Sequence, residues 1–483
     1  MQRLATATLP ALSPTVTPIA YNRDALRTGI VHLGPGAFHR AHQALYTDQA
    51  MAHSGGHWGI VGASLRSTTV AAQLNPQDGL YTLRSEAAGG RQLRLVGALQ
   101  QVLTLSRERE QLNTLLAAPA TRVVTLTVTE KGYCLGADGW SLDVAHPDIQ
   151  HDLAHPAQAQ SAIGVLAHGL HLRLQQGAAP LTVISCDNLS ENSARLAAAL
   201  RDYLQRSYPE CLPWLAEAVR FPCSMVDRIV PALSAEALDE QARLIGLRDE
   251  AAVVTEGFSQ WIIEDTFAAA VPDWAGAGAL LVQDIRPYES LKLGLLNASH
   301  SAIAYIGLLL DKETVADVVT DVAGDAPLRS YLERLMAEAL IPALTTPEGF
   351  DVQAYAAALL QRFANPGLRH RCAQIAMDGT EKIRQRWLPA LAAPANNHDL
   401  LLRALAAWCA VILHSDLSID DPRQAQLLAI RASDEDDIER LTRLLATLGI
   451  DATATPAWQQ RLGTLHRHCQ AIHNGKLREV LAA

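Results

Sequence analysis

Ile30-Val31-His32-Leu33-Gly34-Pro35-Gly36 decides the fold, because a short apolar run there ends in a glycine turn and helical sequence follows. A tight GxG turn after a strand lets a pyrophosphate approach backbone N–H groups at a helix N-terminus. Gly34, Gly36, Ala37 and Phe38 are therefore candidate cofactor-binding residues. The third glycine of the usual dinucleotide fingerprint is missing, and His39 stands in its place. Working outward, WGIVGASL (58–65), VVTLTVT (123–129) and LTVIS (181–185) read as further strands with helical stretches between them. Near-continuous apolar strands alternating with helices predict an α/β fold, a parallel sheet covered on both faces. The stretch before Gly29 carries Pro10, Pro14 and Pro18 and reads as an extended arm on the surface.

From about Tyr288 the chain changes character. Ala- and Leu-rich stretches with helical periodicity run through 328–339, 352–363, 400–413 and 438–448. The chain of 483 residues suits two domains. The expected division is a Rossmann-type, doubly wound dinucleotide-binding domain with an N-terminal arm over 1–285 and a mainly α-helical substrate and catalytic domain over 286–483. Net charge is −10, which argues against a broad basic surface for nucleic acid or anionic lipid. Seven scattered cysteines, none at CxxC spacing, fit reduced thiols in a cytoplasm and no structural zinc. Neither a signal peptide nor a membrane span is expected. The partner is then a small molecule, and the protein a monomer or small homo-oligomer.

The acid that usually follows the second strand and accepts the ribose hydroxyls is absent. Leu65-Arg66-Ser67 stands there, and Arg66 would favour a 2′-phosphate and hence NADP. A solvated loop arginine is the other reading, and NAD or NADP stays open. Glu130 in TEKGY (129–133) and Asn188 after LTVISC lie at strand ends, where α/β sheets bind ligands. Both segments also read as ordinary turns.

The most informative stretch is YESLKLGLLNASH (288–300). On an α-helix Lys292 and His300 would lie about 80° apart, and Asn297 and His300 about 60° apart. Glu289 sits one turn before Lys292. Oxidising a secondary alcohol leaves a proton to dispose of. A lysine packed against apolar walls loses hydration, its pKa falls, and it serves as a base near neutral pH. Asn297 can donate to the alkoxide-like oxygen without adding charge. His300 can bond a neighbouring hydroxyl, and Glu289 can relay the proton to solvent. Read alone, the stretch is also an amphipathic helix with solvated Lys and Glu and a capping Asn.

Six ordered blocks carry a resemblance: IVHLGPGAFHRAHQALYTD (30–48), LTVTEKGYC (126–134), ISCDNLSEN (184–192), FPCSMVDRIVP (221–231), QWIIEDTF (260–267) and KLGLLNASHS (292–301). Over nearly its whole length the chain resembles the long-chain mannitol dehydrogenase family, which includes mannitol 2-dehydrogenases and fructuronate reductases. The resemblance implies an active site between a Rossmann-type domain and a helical domain. It implies Lys292 as general acid/base, Asn188 and Asn297 as carbonyl-polarising groups, His300 as substrate ligand, Glu289 as proton relay, and no catalytic metal. It favours NAD, whereas Arg66 points to NADP. The block LRHRCAQIAMDGTEK (368–382) looks most like the fructuronate reductase branch. There His370, Arg371 and Lys382 would receive a substrate carboxylate, although the basic run 369–371 also reads as helix-surface charge.

The expected reaction is the reversible reduction of D-fructuronate to D-mannonate. The alternatives are a mannitol 2-dehydrogenase or other polyol dehydrogenase, and a noncatalytic sugar- or nucleotide-binding module. A zinc-dependent alcohol dehydrogenase is disfavoured.

Overall fold

The apolar runs of the first half become the strands of one parallel sheet. A computed structural model describes every residue except 88–89, 322–326, 368–369 and 395–396. Its contacts divide the chain into two units, Met1–Arg286 and Pro287–Ala483.

In the first unit, β1 (Arg27–Leu33), β2 (Trp58–Ser64), β3 (Leu99–Thr104), β4 (Val123–Leu126), β5 (Leu181–Ser185) and β6 (Val219–Arg220) lie in the order β3-β2-β1-β4-β5-β6. That is the 3-2-1-4-5-6 order of the Rossmann fold, whose ligands bind at the carboxyl ends of the strands. The register sets Ile30 beside Val123 and Leu33 beside Leu126. Successive residues feed opposite cores. Val31, Val124 and Val183 pack on one face; Ile30, Val123 and Ile184 pack on the other. Burial on both faces explains why the strands read as unbroken apolar runs.

Helices α1 (Ala37–Ala41) and α2 (Gln43–Ser54) follow β1. Helices α3 (Leu105–Ala117), α4 (Pro147–Ala154), α5 (Ala162–Gln175) and α6 (Asn192–Ser207) come later in the unit. Of these, α3, α5 and α6 bury Leu116, Leu166 and Leu200 against the face that Val31 serves.

Three expectations change. The strand expected over 123–129 ends at Leu126. The Asp187 carboxylate accepts the N–H groups of Val128 and Thr129 and draws the chain off the ladder. The N-terminal arm is not merely laid on the surface. Leu4 is fully buried, and Val16–Thr17 pairs with Gly90–Val96. That pairing belongs to a four-stranded sheet with Tyr81–Ala87 and Val253–Glu256, and a three-stranded sheet also forms from Ser224–Asp227, Gln260–Glu264 and Leu280–Val282. Neither was expected.

The second unit is mainly helical. It contains α7 (Arg286–Leu291, which begins at the division), α8 (Ala298–Leu309), α9 (Val352–Phe363), α10 (Cys372–Ala376), α11 (Gly379–Arg386), α12 (His398–His414) and α13 (Pro456–His473). Every residue of α12 from Leu400 to Leu413 is buried, as expected of a helix apolar on all sides at the centre of a bundle. The stretch expected as one helix over 328–339 is instead α-helical Pro327–Arg334 followed by π-helical Leu335–Leu340. Among the described residues no helix is long and apolar enough to cross a membrane. All seven cysteines are buried and unbridged.

Candidate active site

At the carboxyl end of β1, Gly34 adopts φ 89°. A Cβ there would stand 2.2 Å from the Thr127 carbonyl oxygen, so only glycine lets the β1 and β4 exits approach this closely. The Gly36 N–H donates to the Gly34 carbonyl at 2.7 Å, which closes the turn. Gly36 then caps α1 with no side-chain bond. Among the described residues a Cβ on Gly36 would meet only the Gly34 oxygen, at 3.9 Å, so no described atom crowds this face of the turn. Ala37 is exposed and Phe38 half-buried in the first turn of α1.

The absent third glycine has a physical counterpart. His39 stacks on His32 of β1 with ring centroids 3.4 Å apart, so two flat rings give the close helix–strand approach that a glycine otherwise permits. His32 bonds Thr125 Oγ1 and Thr127 Oγ1, and burial lowers its pKa to about 3.

Beside this turn lies a cavity of about 400 Å³ whose lining includes Gly34, Leu65, Arg66, Thr129, Lys131 and Asp148. The open glycine face, the uncapped helix turn and this cavity at the strand ends fit a dinucleotide. Gly34 and Arg66 are thus brought to one cavity. Glu130 and Asn188 are both exposed, at the exits of β4 and β5.

Asp187 ties those two exits together. Its carboxylate accepts Val128 N–H at 3.0 Å, Thr129 N–H at 2.9 Å and the Tyr133 hydroxyl at 2.6 Å. Burial pushes its pKa up, and the three donors work against that shift. Thr129 is held at φ 65°, ψ 163°, a conformation that costs a non-glycine residue about 1–3 kcal/mol. The sequence offered Asp187 only as a turn residue.

In the second unit, Glu289, Lys292, Asn297 and His300 lie on one helical stretch, but it is not one α-helix. Between α7 and α8, Lys292–Asn297 is π-helical. The α-helical angles expected for these residues therefore do not hold. Residues five apart sit about 140° apart on an α-helix, whereas an i→i+5 turn closes about one residue later and brings Lys292 and Asn297 onto one side. Donors from the end of α11 meet the π–α junction. Arg386 Nη1 donates to the Asn297 carbonyl at 3.2 Å, and Trp387 Nε1 to the Ala298 carbonyl at 3.0 Å. Glu289, Asn297 and His300 are buried, and Lys292 is half-buried.

Asn297 Nδ2 and His300 Nε2 are buried with no hydrogen-bond partner among the described residues. Leaving such a group unmet costs about 1–3 kcal/mol, which makes both atoms candidates for a ligand's oxygens. Burial drives the His300 pKa well below the ordinary imidazole value, and His370, Arg386 and Arg362 push it the same way. His300 therefore stays neutral. Its ring lies 4.5 Å from that of Phe363 and 5.3 Å from that of His370, the latter edge-on. His370 is itself held low by burial and by Lys382. Lys382 Nζ donates to the Ile375 carbonyl at 3.2 Å.

Arg371 is exposed at the start of α10 and pairs by backbone with Thr314. Arg369 lies outside the described residues. Sequence reasoning missed Arg362 and Arg386. Arg386 lies four residues after Lys382 on α11, so the helical repeat offered a signal; Arg362 offered none.

Two groups of three residues place metal-binding atoms within 4.8 Å of one another among the described residues. They are Cys134, His146 and Asp148, and His171, Glu210 and Cys211.

Comparison with known proteins identifies the family of both units. Residues 28–276 match the mannitol dehydrogenase Rossmann domain, and residues 284–460 match the mannitol dehydrogenase C-terminal domain. The chain is 38% identical to the D-mannonate oxidoreductase of Escherichia coli (strain K12), with 100% of both chains covered. It is 34% identical to a mannitol 2-dehydrogenase of Aspergillus terreus, over 92% of this chain and 91% of that one. The Pseudomonas fluorescens mannitol 2-dehydrogenase, solved as a ternary complex with NAD and D-mannitol, superposes with a TM-score of 0.84 at 32% identity, covering 99% of each chain. With both of its domains matched, the chain belongs to the mannitol dehydrogenase family of oxidoreductases.

Proposed function

We propose that this protein interconverts D-fructuronate and D-mannonate with a nicotinamide cofactor and no catalytic metal. The basic surroundings of His300 carry the sugar-acid reading. The charges of Arg386 and Arg362 help hold its pKa low, His370 lies edge-on to it, and the charge of Lys382 helps hold the His370 pKa low. Clustered cationic groups suit a carboxylate, whose geometry guanidinium forks match, better than a neutral polyol; Arg386 also donates to the Asn297 carbonyl and the Ser301 hydroxyl. Similarity to a D-mannonate oxidoreductase over the whole chain supports the same reading.

A reduced nicotinamide, when bound, supplies the hydride. The turn of Gly34 and Gly36 with the first amides of α1 would hold the pyrophosphate. Lys292, as an ammonium, gives its proton to the nascent alkoxide, and as an amine it takes that proton in the reverse direction. Asn297 Nδ2 donates to the same oxygen and stabilises its developing charge. His300, kept neutral, bonds an adjacent hydroxyl through Nε2. Glu289, buried one turn before Lys292, is the group proposed to restore the lysine's proton.

The polyol reading has support of its own, from the two mannitol 2-dehydrogenases. Steady-state kcat/KM for fructuronate and fructose, measured side by side with NADH and NADPH, separates the two. The proposal expects fructuronate to be preferred at least 100-fold. A preference for fructose would refute it. Dialysis against a chelator should leave the rate unchanged, and its loss would refute metal independence.

A further inference from the structure

We propose that Asp148, by neutralising Arg66, sets this site to prefer the dinucleotide without a 2′-phosphate. The inference rests on the dinucleotide reading of the glycine turn. Arg66 follows β2, at the position where doubly wound sheets usually carry the acid that accepts the adenosine ribose hydroxyls. An isolated arginine there would draw a 2′-phosphate. In the fold it is not isolated, because its guanidinium donates to the carboxylate of Asp148, 82 positions further along the chain. Both side chains line the same 400 Å³ cavity as Gly34.

The two partners are not equal. The Arg66 side chain is 77% exposed and that of Asp148 only 22%. Asp148 is also anchored by its backbone, whose N–H donates to His146 Nδ1, and it stands in the first turn of α4, where a carboxylate is favoured. The carboxylate is therefore the more enclosed partner, and the guanidinium the more exposed one. Two consequences follow. An acid reaches the cavity from a distant helix and can accept ribose hydroxyls in place of the missing one. A 2′-phosphate, with its negative charge, would meet a carboxylate and an arginine whose charge is already compensated. Lys131 lines the same cavity, and its charge stays constant when Asp148 or Arg66 is replaced, so it does not account for a change in the NADP⁺ to NAD⁺ ratio. The competing view is a surface ion pair of little consequence, since exposed pairs contribute at most about 1 kcal/mol.

Calorimetric titration of the full chain with NAD⁺ and NADP⁺ decides the matter without any substrate. The wild type should bind NAD⁺ at least 10-fold more tightly than NADP⁺. Asp148→Asn should improve NADP⁺ affinity about 10-fold and weaken NAD⁺ binding several-fold. Adding Arg66→Ala to that variant should erase the NADP⁺ gain. Arg66→Ala alone should leave the preference for NAD⁺ over NADP⁺ no weaker than in the wild type. A wild type that prefers NADP⁺, or an Asp148→Asn variant with an unmoved ratio, overturns the assignment while leaving the dinucleotide site standing. Failure of both dinucleotides to bind the wild type overturns the assignment and the site together. Circular dichroism of each variant confirms the fold.

Discussion

Two glycines two residues apart should fail in opposite ways when each becomes alanine. At Gly34, φ is 89° and a Cβ would lie 2.2 Å from the Thr127 carbonyl oxygen. The left-handed conformation costs alanine about 1–2 kcal/mol. Relieving the overlap means parting the ends of β1 and β4. That endangers the Thr127 N–H bond to Leu33 at 2.9 Å and the Thr127 hydroxyl bond to Gly34 at 2.7 Å, worth about 1 kcal/mol each. The sum is about 3–4 kcal/mol, a large share of a typical stability of about 5–15 kcal/mol. At Gly36, φ is −69° and the nearest atom to a Cβ is 3.9 Å away. Alanine there is free of strain and should change stability by less than about 1 kcal/mol. Its methyl, however, fills the open face offered to the pyrophosphate. Urea unfolding and NAD⁺ titration of both variants read the two effects. Gly34→Ala should lower the unfolding midpoint strongly, and Gly36→Ala should keep the midpoint and lose nucleotide affinity at least 10-fold. A stable Gly34→Ala variant, or a Gly36→Ala variant that binds normally, would refute the reasoning.

Arg362→Gln should raise KM for fructuronate about 10- to 100-fold and leave fructose reduction nearly unchanged, as expected for the loss of a charged hydrogen bond worth about 1.5–3 kcal/mol; equal effects on both substrates would remove Arg362 from carboxylate recognition. Asn297→Asp replaces the unpartnered buried donor with an acceptor, so kcat should fall by about 10²–10³, and a normal kcat would show that this amide does not face the reacting oxygen. His32, His39, His300 and His370 are all held below the ordinary imidazole pKa, chiefly by burial. The unfolded chain takes up these protons first, so their stabilisation is full above about pH 6.5 and is lost as the pH falls below it, by up to about 1.4 kcal/mol per pH unit for each histidine. His300→Gln should make the fall in stability between pH 7 and pH 5 shallower, as read by urea unfolding at both values, and an unchanged slope would mean that His300 is not buried neutral.

Much of the α/β architecture was legible because β1, β2, β4 and β5 are buried on both faces and so spell out continuous apolar runs. The two smaller sheets were not. Gly90–Val96 is GRQLRLV, whose first three residues are exposed. It becomes a strand by pairing with Tyr81–Ala87 on one side and with Val16–Thr17, far away in sequence, on the other. Helical periodicity located the stretch from Glu289 to His300 but not its π register, whose junction with α8 is met by Arg386 and Trp387 from about ninety residues downstream. The same limit applies to Arg66. Its charge was plain in the sequence, whereas the carboxylate that answers it arrives from α4 through tertiary packing alone.

Lys292→Ala tests the central claim most directly. With fructuronate and NADH the variant should lose about 10²–10⁴-fold in kcat, the usual contribution of a positioned acid/base. Its nucleotide affinity and unfolding midpoint should stay at wild-type values. A variant that turns over at the normal rate would contradict lysine-driven catalysis.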